Sequence, residues 1–265
     1  MTDERIILPV GKAYQRVIRE RKDEEERNSP DEPIWHGINR DISNAVVKPI
    51  ERSLAKEIVE KYEWLGCMPA ICMYYFGIFY DDVCAGVTVF GKEYSENLGH
   101  WDKYHYTGRM LLLARGVCVN WAHEHSGSKL IMESIKQLPP EYDVITATID
   151  QAAGEVGTIY QACNFVYTGS MRESNPNIKN VKPKNRFGVR IACDKFPNGK
   201  IYGSRSMRAK VGSQKKEDIL AAYPDAEFVP QYNKHRYFYY RGSKSNKKFL
   251  KKQVAHMIKS YPKRS

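Results

Sequence analysis

The sequence lacks several features that would place it in common protein classes. None of its apolar runs approaches the ~20 residues that a membrane-spanning helix needs. Its first residues, MTDERIILPVGK, lack the basic and then apolar pattern of a secretory signal peptide. Its six cysteines form no C-x-x-C pair, and no cysteines and histidines follow zinc-finger spacing. These absences predict a cytoplasmic protein with no membrane partner and with cysteines that remain reduced.

Acidic residues are missing from the C-terminal end. Residues 228–265 hold eleven Lys and Arg residues and no Asp or Glu. The formal net charge of the chain is +11, but residues 170–265 carry +18 and residues 1–169 carry −7. A basic third on a slightly acidic body favours a polyanionic partner. Aromatic residues between the lysines favour nucleic acid, and the alternative is a solvated basic tail that keeps the chain soluble.

The apolar residues that are present alternate between strand and helix spacing. This order predicts an α/β (α+β) fold, a mixed central sheet with flanking helices and a basic C-terminal elaboration. We divide the chain into a polar N-terminal arm at 1–50, a core at 51–170 and a basic part at 171–265 that completes the fold and binds nucleic acid. The predicted core elements are a helix at 53–64, a hairpin at 73–80 and 83–91, a strand at 111–120, a helix at 123–138, a strand at 142–150, a helix at 155–165 and a strand at 166–170.

Two charged residues and one turn lie where ligands bind in such folds. Asp150 ends a buried strand at the carboxyl edge of the sheet, and it either takes part in chemistry or caps the next helix. Arg115 lies in the middle of an apolar strand and needs a partner. That partner is either Asp150 on a neighbouring strand or a bound anion or carbonyl. Ser126, Gly127 and Ser128 open a helix, and they either hold a phosphate through backbone N–H groups or only cap the helix.

Aromatic and basic residues suggest a surface for nucleic acid. Trp64 at the end of the first helix, and Trp101 and Tyr106 in a long loop, are either stacking surfaces for a base or core residues. His100 and His105, with His123 or His125, could bind a metal, but no spacing enforces the geometry, and we predict no metal site. We expect the following residues to contact DNA phosphates: Lys234, Arg236, Lys247, Lys248 and Lys251.

One segment is similar to a known fold. Residues 159–165, I-Y-Q-A-C-N-F, followed by Tyr167 and Gly169, resemble the segment that closes the GCN5-related N-acetyltransferase (GNAT) fold. The resemblance implies acetyl-CoA or a related CoA thioester, with its pyrophosphate at Ser126-Gly127-Ser128. The usual basic-x-x-Gly-x-Gly/Ala turn of that fold is absent. The resemblance also makes Tyr160 the acid that protonates the leaving thiolate, and a core aromatic is the alternative role.

A narrower resemblance covers the chain from about residue 54 to its C-terminus. It rests on an ordered set of motifs: E-W-L-G (63–66), Y-F-G-I-F…C-A-G-V-T-V-F-G (75–91), L-A-R-G (113–116), S-G-S-K-L-I (126–131), I-D-Q-A-A-G-E-V-G-T-I-Y-Q-A-C-N-F-V-Y-T-G (149–169), K-H-R-Y-F-Y-Y (234–240) and Y-P-K-R (261–264). This set resembles the Mom family, the phage Mu-type DNA adenine modification proteins. The resemblance implies a GNAT-like enzyme that converts adenine in double-stranded DNA to N6-carbamoylmethyladenine. The modification shields phage DNA from restriction in the bacterial host cytoplasm.

The sequence departs from that family pattern in three places, one of which is the strand end, where Ala147-Thr148-Ile149 precedes Asp150 instead of Ser-Tyr-Ala. Glu63 and Trp64 stand where the family often has His and Tyr, and Glu155 stands where it has His. Alternatives therefore remain open: an N-acetyltransferase for a non-DNA amine, or an inactive GNAT-like DNA-binding protein. An enzyme acting on adenine N6 in a duplex must flip the base out of the stack. Asp150 would then orient or deprotonate the amine, while the donor, a metal requirement and a homodimer are not readable from the residues.

Overall fold

A central sheet of seven strands organises the chain. The computed structural model describes residues 5–6, 11–93, 99–170, 187–230, 232 and 234–264. The strands are β1 (Arg5–Ile6), β2 (Val46–Pro49), β3 (Tyr74–Tyr80), β4 (Val83–Gly91), β5 (Met110–Cys118), β6 (Val144–Asp150), β7 (Val166–Ser170), β8 (Phe187–Cys193), β9 (Phe196–Tyr202), β10 (Glu227–Pro230), β11 (Lys234–Tyr240) and β12 (Lys263–Arg264). The central sheet has the order β2-β3-β4-β5-β6-β11-β7, β10-β8-β9 form a second sheet, and β1 pairs with β12.

Seven α-helices flank these sheets in the described part of the chain. They are α1 (Tyr14–Arg27), α2 (Arg52–Tyr62), α3 (Ser126–Gln137), α4 (Thr158–Ala162), α5 (Ser204–Val211), α6 (Lys216–Ala222) and α7 (Lys244–Gln253). Short 3-10 turns lie at Asp102–Tyr104, Gln151–Ala153 and Ala255–Met257.

A tight turn connects the hairpin strands, and a helical crossover connects the parallel pair. β3 and β4 pair antiparallel around Asp81-Asp82, and Asp81 adopts a left-handed φ of 49°, which aspartate tolerates better than most residues. Among the described residues, β5 and β6 form the one parallel pair of the central sheet, and α3 makes the crossover between them. Their pairing covers only Met110–Leu113 opposite Val144–Ala147. Beyond that point the two strands separate. β5 then pairs only with β4, and β6 pairs only with β11.

The main core lies between this sheet and helices α2 and α3. Leu130, Ile131 and Ile135 of α3 are buried, as are Ala55 and Val59 of α2, at the spacings expected of an amphipathic helix. The predicted fold class, a mixed central sheet with flanking helices, is therefore confirmed. β11 lies between β6 and β7, so a strand of the basic third is part of the sheet itself.

The N-terminal segment differs from the arm expected of it. Residues Tyr14–Arg27 form a helix that packs against the body, because Tyr14 and Ile18 form a narrow apolar stripe among its charges. Tyr14 packs against Trp64 and Phe196, and its hydroxyl accepts a hydrogen bond from the Ile201 amide across 2.8 Å. The first residues of the basic part predicted at 171–265, residues 171–186, lie outside the described residues.

Candidate active site

A cavity of about 560 Å³ opens where β5 and β6 separate. One wall is the divergent part of β5, from Ala114 to Gly116, with the paired residue Leu113 at its base. The facing wall is the end of β6, from Thr148 to Asp150. The backbone groups of these segments that face each other have no ladder partner across the gap. An open strand edge of this kind offers N–H and C=O groups to a ligand.

Residues from distant parts of the chain close the cavity. The end of α2, the turn after β6 and the start of α4 supply Glu63, Trp64, Glu155 and Tyr160, and Lys234 lies at the start of β11. The structure therefore brings together five of the residues predicted for the site: Trp64, Arg115, Asp150, Tyr160 and Lys234.

Arg115 pairs with Glu63 and not with Asp150, which the sequence offered as one of two possible partners. Its Nε lies 3.3 Å from Glu63 Oε2, and it donates hydrogen bonds to the Cys67 carbonyl (2.9 Å) and the Ala114 carbonyl (2.6 Å). The reason is the end of α2: Glu63 leaves the helix with extended backbone (φ −95°, ψ 142°), which directs its carboxyl toward β5. Arg115 is thereby held at the cavity wall.

Glu63 is a buried carboxyl with an unused oxygen. Burial raises its pKa from 4.5 to about 7, because desolvation and the Glu155 carboxyl outweigh Arg115 and Lys200. Its Oε2 has no hydrogen-bond partner among the described residues, although the Arg115 guanidinium is close. At neutral pH this group is therefore divided between its acid and its carboxylate.

Asp150 has the position that the sequence predicts and a partly structural role. Its Oδ1 accepts a hydrogen bond from the Ala152 amide (3.0 Å), so it caps the 3-10 turn directly after β6. Its Oδ2 lies 3.7 Å from Lys234 Nζ. The Asp150 side chain lines the cavity, so capping does not withdraw it from a ligand.

Glu155 connects the turn after β6 to Trp64. Its Oε1 accepts a hydrogen bond from Trp64 Nε1 (3.0 Å), and its Oε2 accepts one from the Asp150 amide (2.8 Å). The turn can fold back in this way because Gly154 and Gly157 both adopt a φ of 76°. Desolvation by burial raises the Glu155 pKa above its usual value.

Tyr160 lies on α4 at the cavity wall. Its ring packs against Phe165 and Tyr237, with centroids 5.4 and 5.5 Å away. Burial and the nearby Glu155 and Glu63 carboxyls raise its pKa above its usual value, so the phenol is neutral at physiological pH. A neutral phenol can donate a proton or a hydrogen bond.

The predicted phosphate turn lies beside the cavity and does not line it. Ser126 is fully buried and its hydroxyl bonds to the Tyr80 hydroxyl across 2.7 Å, while Ser128 donates to the His125 carbonyl. Gly127 approaches α4 closely, since a Cβ there would lie 3.2 Å from Ile159 Cδ1, and Ile159 lines the cavity. The three residues thus form the first turn of α3, whose amides lack acceptors within the helix.

Three other predicted site residues belong to a second core. Trp101 and Tyr106 are 3% and 0% exposed, and they pack with Phe238 and Leu250 under α7. Arg236 is also buried there, where it bonds to Glu93 and Thr146. Trp101, Tyr106 and Arg236 do not line the cavity. Trp101 and Tyr106 of the aromatic loop are therefore core residues, the second of the two roles that the sequence allowed for them.

The predicted lysines of α7 are exposed but lie away from the cavity. Lys247, Lys248 and Lys251 follow the Tyr240 end of β11, whereas Lys234 at its other end touches the cavity. A seven-residue strand spans roughly 20 Å. The sequence predicted one basic surface. In the structure, Lys234 and the three lysines of α7 lie at opposite ends of β11.

Sequence reasoning missed the contribution of α1. Gln15 accepts a hydrogen bond from the Trp64 amide on Oε1 (3.1 Å) and donates one to the Tyr62 carbonyl (2.7 Å), which holds the residues around Glu63 in place. Arg16 and Arg19 also line the cavity. The available signal was the i, i+4 spacing of Tyr14 and Ile18, which the surrounding charges concealed.

Two other kinds of feature are absent from the described part of the chain. Within those ranges, no group of three or more His, Cys, Asp and Glu side chains is arranged to hold a metal ion. Among the same residues, no helix has both the length and the apolar character needed to span a bilayer.

Comparison with known proteins places the chain in a family. Solved structures similar to it include a Bacillus subtilis acetyltransferase in complex with CoA (11% identity, 75% of this chain, 99% of that chain, TM-score 0.37). Another is a GNAT family acetyltransferase from Elizabethkingia anophelis with acetyl-CoA bound (9% identity, 75% and 99%, TM-score 0.37). A third is the IAA acetyltransferase from Bacillus cereus (8% identity, 74% and 99%, TM-score 0.36). Comparison with curated proteins gave no match. Residues 44–263 match the model of the Mom protein family, and the chain therefore belongs to that family.

Proposed function

We propose that this protein is a transferase that attaches a carbamoylmethyl or related acyl group to adenine N6 in double-stranded DNA. Such a modification protects phage DNA from host restriction. The observation that carries the proposal is the cavity between β5 and β6, because it gathers Arg115, Asp150, Tyr160 and Trp64 around one space. Its volume of about 560 Å³ lies in the usual range for small-molecule sites.

The cavity walls fit an elongated donor such as a CoA thioester. The open edges of β5 and β6 can form hydrogen bonds with the amide groups of its pantetheine arm. The first turn of α3 would present the Gly127 and Ser128 amides to a pyrophosphate, whereas the Ser126 amide already donates to the His123 carbonyl (2.9 Å). When bound, a CoA thioester would supply an activated acyl carbon, which gives an N6-acyladenine. A carbamoylmethyl group is attached to N6 through a methylene carbon, so it needs a rearrangement after this transfer or a different donor. In this proposal the pyrophosphate would lie at the first turn of α3, beside the contact between Gly127 and Ile159 of α4.

The remaining residues have roles that suit amine transfer. Asp150 lies at the end of β6, where its carboxylate can accept a hydrogen bond from the exocyclic amine of a flipped adenine. Tyr160 is neutral and buried, so it can protonate a leaving thiolate. Arg115 presents a cation at the wall, which can stabilise a negative charge that develops on a carbonyl oxygen.

Basic residues on two surfaces suit a DNA partner. Lys234, with a side chain that is 56% exposed, lies at the cavity and can bind a phosphate next to the flipped nucleotide. Lys247, Lys248 and Lys251 lie on the exposed face of α7, farther along the same strand. Contacts at two separated places allow one duplex to be held on both sides of the flipped base.

Mass spectrometry of cellular DNA tests the proposal. The full chain is expressed with a plasmid in a bacterium that has no DNA modification of its own, and the DNA is digested to nucleosides. We expect a heavier deoxyadenosine with the unchanged protein, none with Asp150→Ala, and the unchanged level with Asp82→Asn, a control in the exposed hairpin turn. The mass identifies the group transferred. Unmodified deoxyadenosine despite soluble protein would contradict the proposal.

A further inference from the structure

Three carboxyl groups line the cavity, and in the described part of the chain only Glu63 has a buried oxygen without a hydrogen-bond partner. Both oxygens of Glu155 accept hydrogen bonds, from Trp64 Nε1 and from the Asp150 amide. Asp150 uses Oδ1 for the Ala152 amide and holds Oδ2 at 3.7 Å from Lys234 Nζ. The unpartnered atom of Glu63 is Oε2. A group that must take up a proton from a ligand needs such a vacant acceptor.

The surroundings of Glu63 suit proton exchange near neutral pH. The side chain is 9% exposed. The charged and titratable groups that face it are Arg115 of β5, Glu155 after β6, Lys200 of β9 and the neutral phenol of Tyr160 on α4. Desolvation and Glu155 favour the acid, while Arg115 and Lys200 favour the carboxylate. The balance raises the pKa to about 7, and a general base is most effective when its pKa lies near the working pH.

Arg115 stabilises the charge of Glu63 without blocking it. The guanidinium Nε lies 3.3 Å from Oε2. Its hydrogen bonds go to other acceptors: Nε and Nη1 donate to the carbonyls of Cys67 and Ala114, and Nη2 donates to the Cys67 sulfur. The carboxylate therefore gains an electrostatic partner and retains a free lone pair. Gln15 fixes the backbone on both sides of Glu63 through Tyr62 and Trp64, so the orientation of the group is set before a substrate binds.

We propose that Glu63 is the catalytic residue that accepts the proton of the attacking amine, and that Asp150 orients that amine. This assignment rests on the transferase function proposed above. In acyl transfer the bond between the amine nitrogen and the acyl carbon forms, and the bond between that carbon and the thioester sulfur breaks. One amine proton passes to Glu63, the leaving sulfur takes the Tyr160 proton, and Tyr160 regains a proton through solvent as Glu63 releases one. The products are an N6-acyladenine, which is an amide, and a thiol. The step accounts for transfer of an acyl group, and a carbamoylmethyl group, which has a methylene carbon on N6, needs a further step.

Two substitutions of Glu63 distinguish a role as a base from a purely structural role as the partner of Arg115. Glu63→Gln keeps the size and the carbonyl acceptor but cannot take up a proton. Glu63→His changes the shape but provides a base with an ordinary pKa of about 6.5. Glu133→Gln on α3 serves as control, because Glu133 forms a surface pair with Lys129 outside the cavity. All variants are first compared for thermal unfolding.

Two measurements test the role of Glu63: the amount of modified deoxyadenosine and a pH titration of the Glu63 carboxyl. We expect Glu63→Gln to lower modified deoxyadenosine about 100-fold or more, Glu63→His to retain more activity than Glu63→Gln, and Glu133→Gln to match the unchanged protein. A carbon-13 carboxyl resonance that titrates near pH 7 should disappear in Glu63→Gln. Full activity of Glu63→Gln, greater activity of Glu63→Gln than of Glu63→His, or a resonance titrating below about pH 5 would overturn the role of Glu63 while leaving the transferase function intact. Unmodified DNA with the unchanged protein would overturn both proposals.

Discussion

Trp64 donates its indole N–H to the Glu155 carboxyl across 3.0 Å, and this bond joins segments that lie 91 residues apart. Both residues stand at positions where the sequence departs from the Mom pattern, and the structure shows that the two departures contact each other. Because Glu155 also accepts the Asp150 amide, the bond fixes the end of β6 relative to the end of α2. The two substitutions therefore act as one unit in the cavity wall.

The Trp64–Glu155 bond should contribute measurably to stability. Trp64→Phe removes the donor and leaves a buried carboxyl oxygen unpaired, which should lower the free energy of unfolding by about 1–3 kcal/mol. Urea unfolding of Trp64→Phe, Glu155→Ala and the double variant measures this effect. The double variant should lose less than the sum of the single variants, since the pair is coupled. Strictly additive losses would show that the bond contributes nothing.

Glu63 should make stability depend on pH in an unusual direction. Its pKa is raised from 4.5 to about 7 in the folded chain, so the folded state binds this proton more tightly than the unfolded state does. The contribution of Glu63 to stability is therefore greatest below about pH 4.5 and is lost as the pH rises through 7, a change of roughly 3 kcal/mol.

Replacement of Glu63 should remove that dependence. Glu63→Gln should be close to neutral for stability at pH 5 and should raise the unfolding temperature relative to the unchanged chain at pH 8. Calorimetry at both pH values, with the surface variant Glu133→Gln as reference, gives the comparison. A variant that is equally destabilised at the two pH values would mean that Glu63 ionises normally.

Gly157 should be intolerant of any side chain. Its φ is +76°, and an added Cβ would lie 2.6 Å from Tyr237 Cε2. Gly108 is the matched control, because it has a φ of +77° and nothing within 4 Å of an added Cβ. Gly108→Ala should cost about 1–2 kcal/mol for backbone strain alone, and Gly157→Ala should cost clearly more in chemical denaturation. Equal costs would place Tyr237 farther from the turn.

The lysines of α7 should determine the salt dependence of DNA binding. Lys247 and Lys251 are exposed and one helical turn apart. The double replacement by Gln should weaken binding to a short random duplex and reduce the slope of log K against log salt by about 0.9 for each phosphate that is no longer neutralised. Fluorescence anisotropy at several salt concentrations measures this slope. Lys56→Gln on α2, where Lys56 pairs with Glu60, should leave it unchanged, and an unchanged slope in the α7 variant would exclude that helix from the interface.

The strand and helix order could be read from the sequence because it depends on local patterns. Alternating apolar residues placed β4 and β6 within a few residues of their observed ends, and Asp150 lies at the carboxyl end of β6 as expected. Helix α1 was harder to interpret, since Tyr14 and Ile18 form an apolar stripe too narrow to stand out among its charges. Trp101 and Tyr106 could equally have been surface or core residues until their neighbours Phe238 and Leu250 were known.

The sequence by itself determined the fold class, the family motifs and the position of Asp150 at the carboxyl edge of the sheet. Only the tertiary structure decided which polar and charged side chains contact each other. Arg115 pairs with Glu63 instead of Asp150, Trp64 with Glu155, and Asp150 with Lys234. Pairing of this kind depends on where α2 ends and where β5 leaves β6, and residues so far apart along the chain have no local pattern that records their contact.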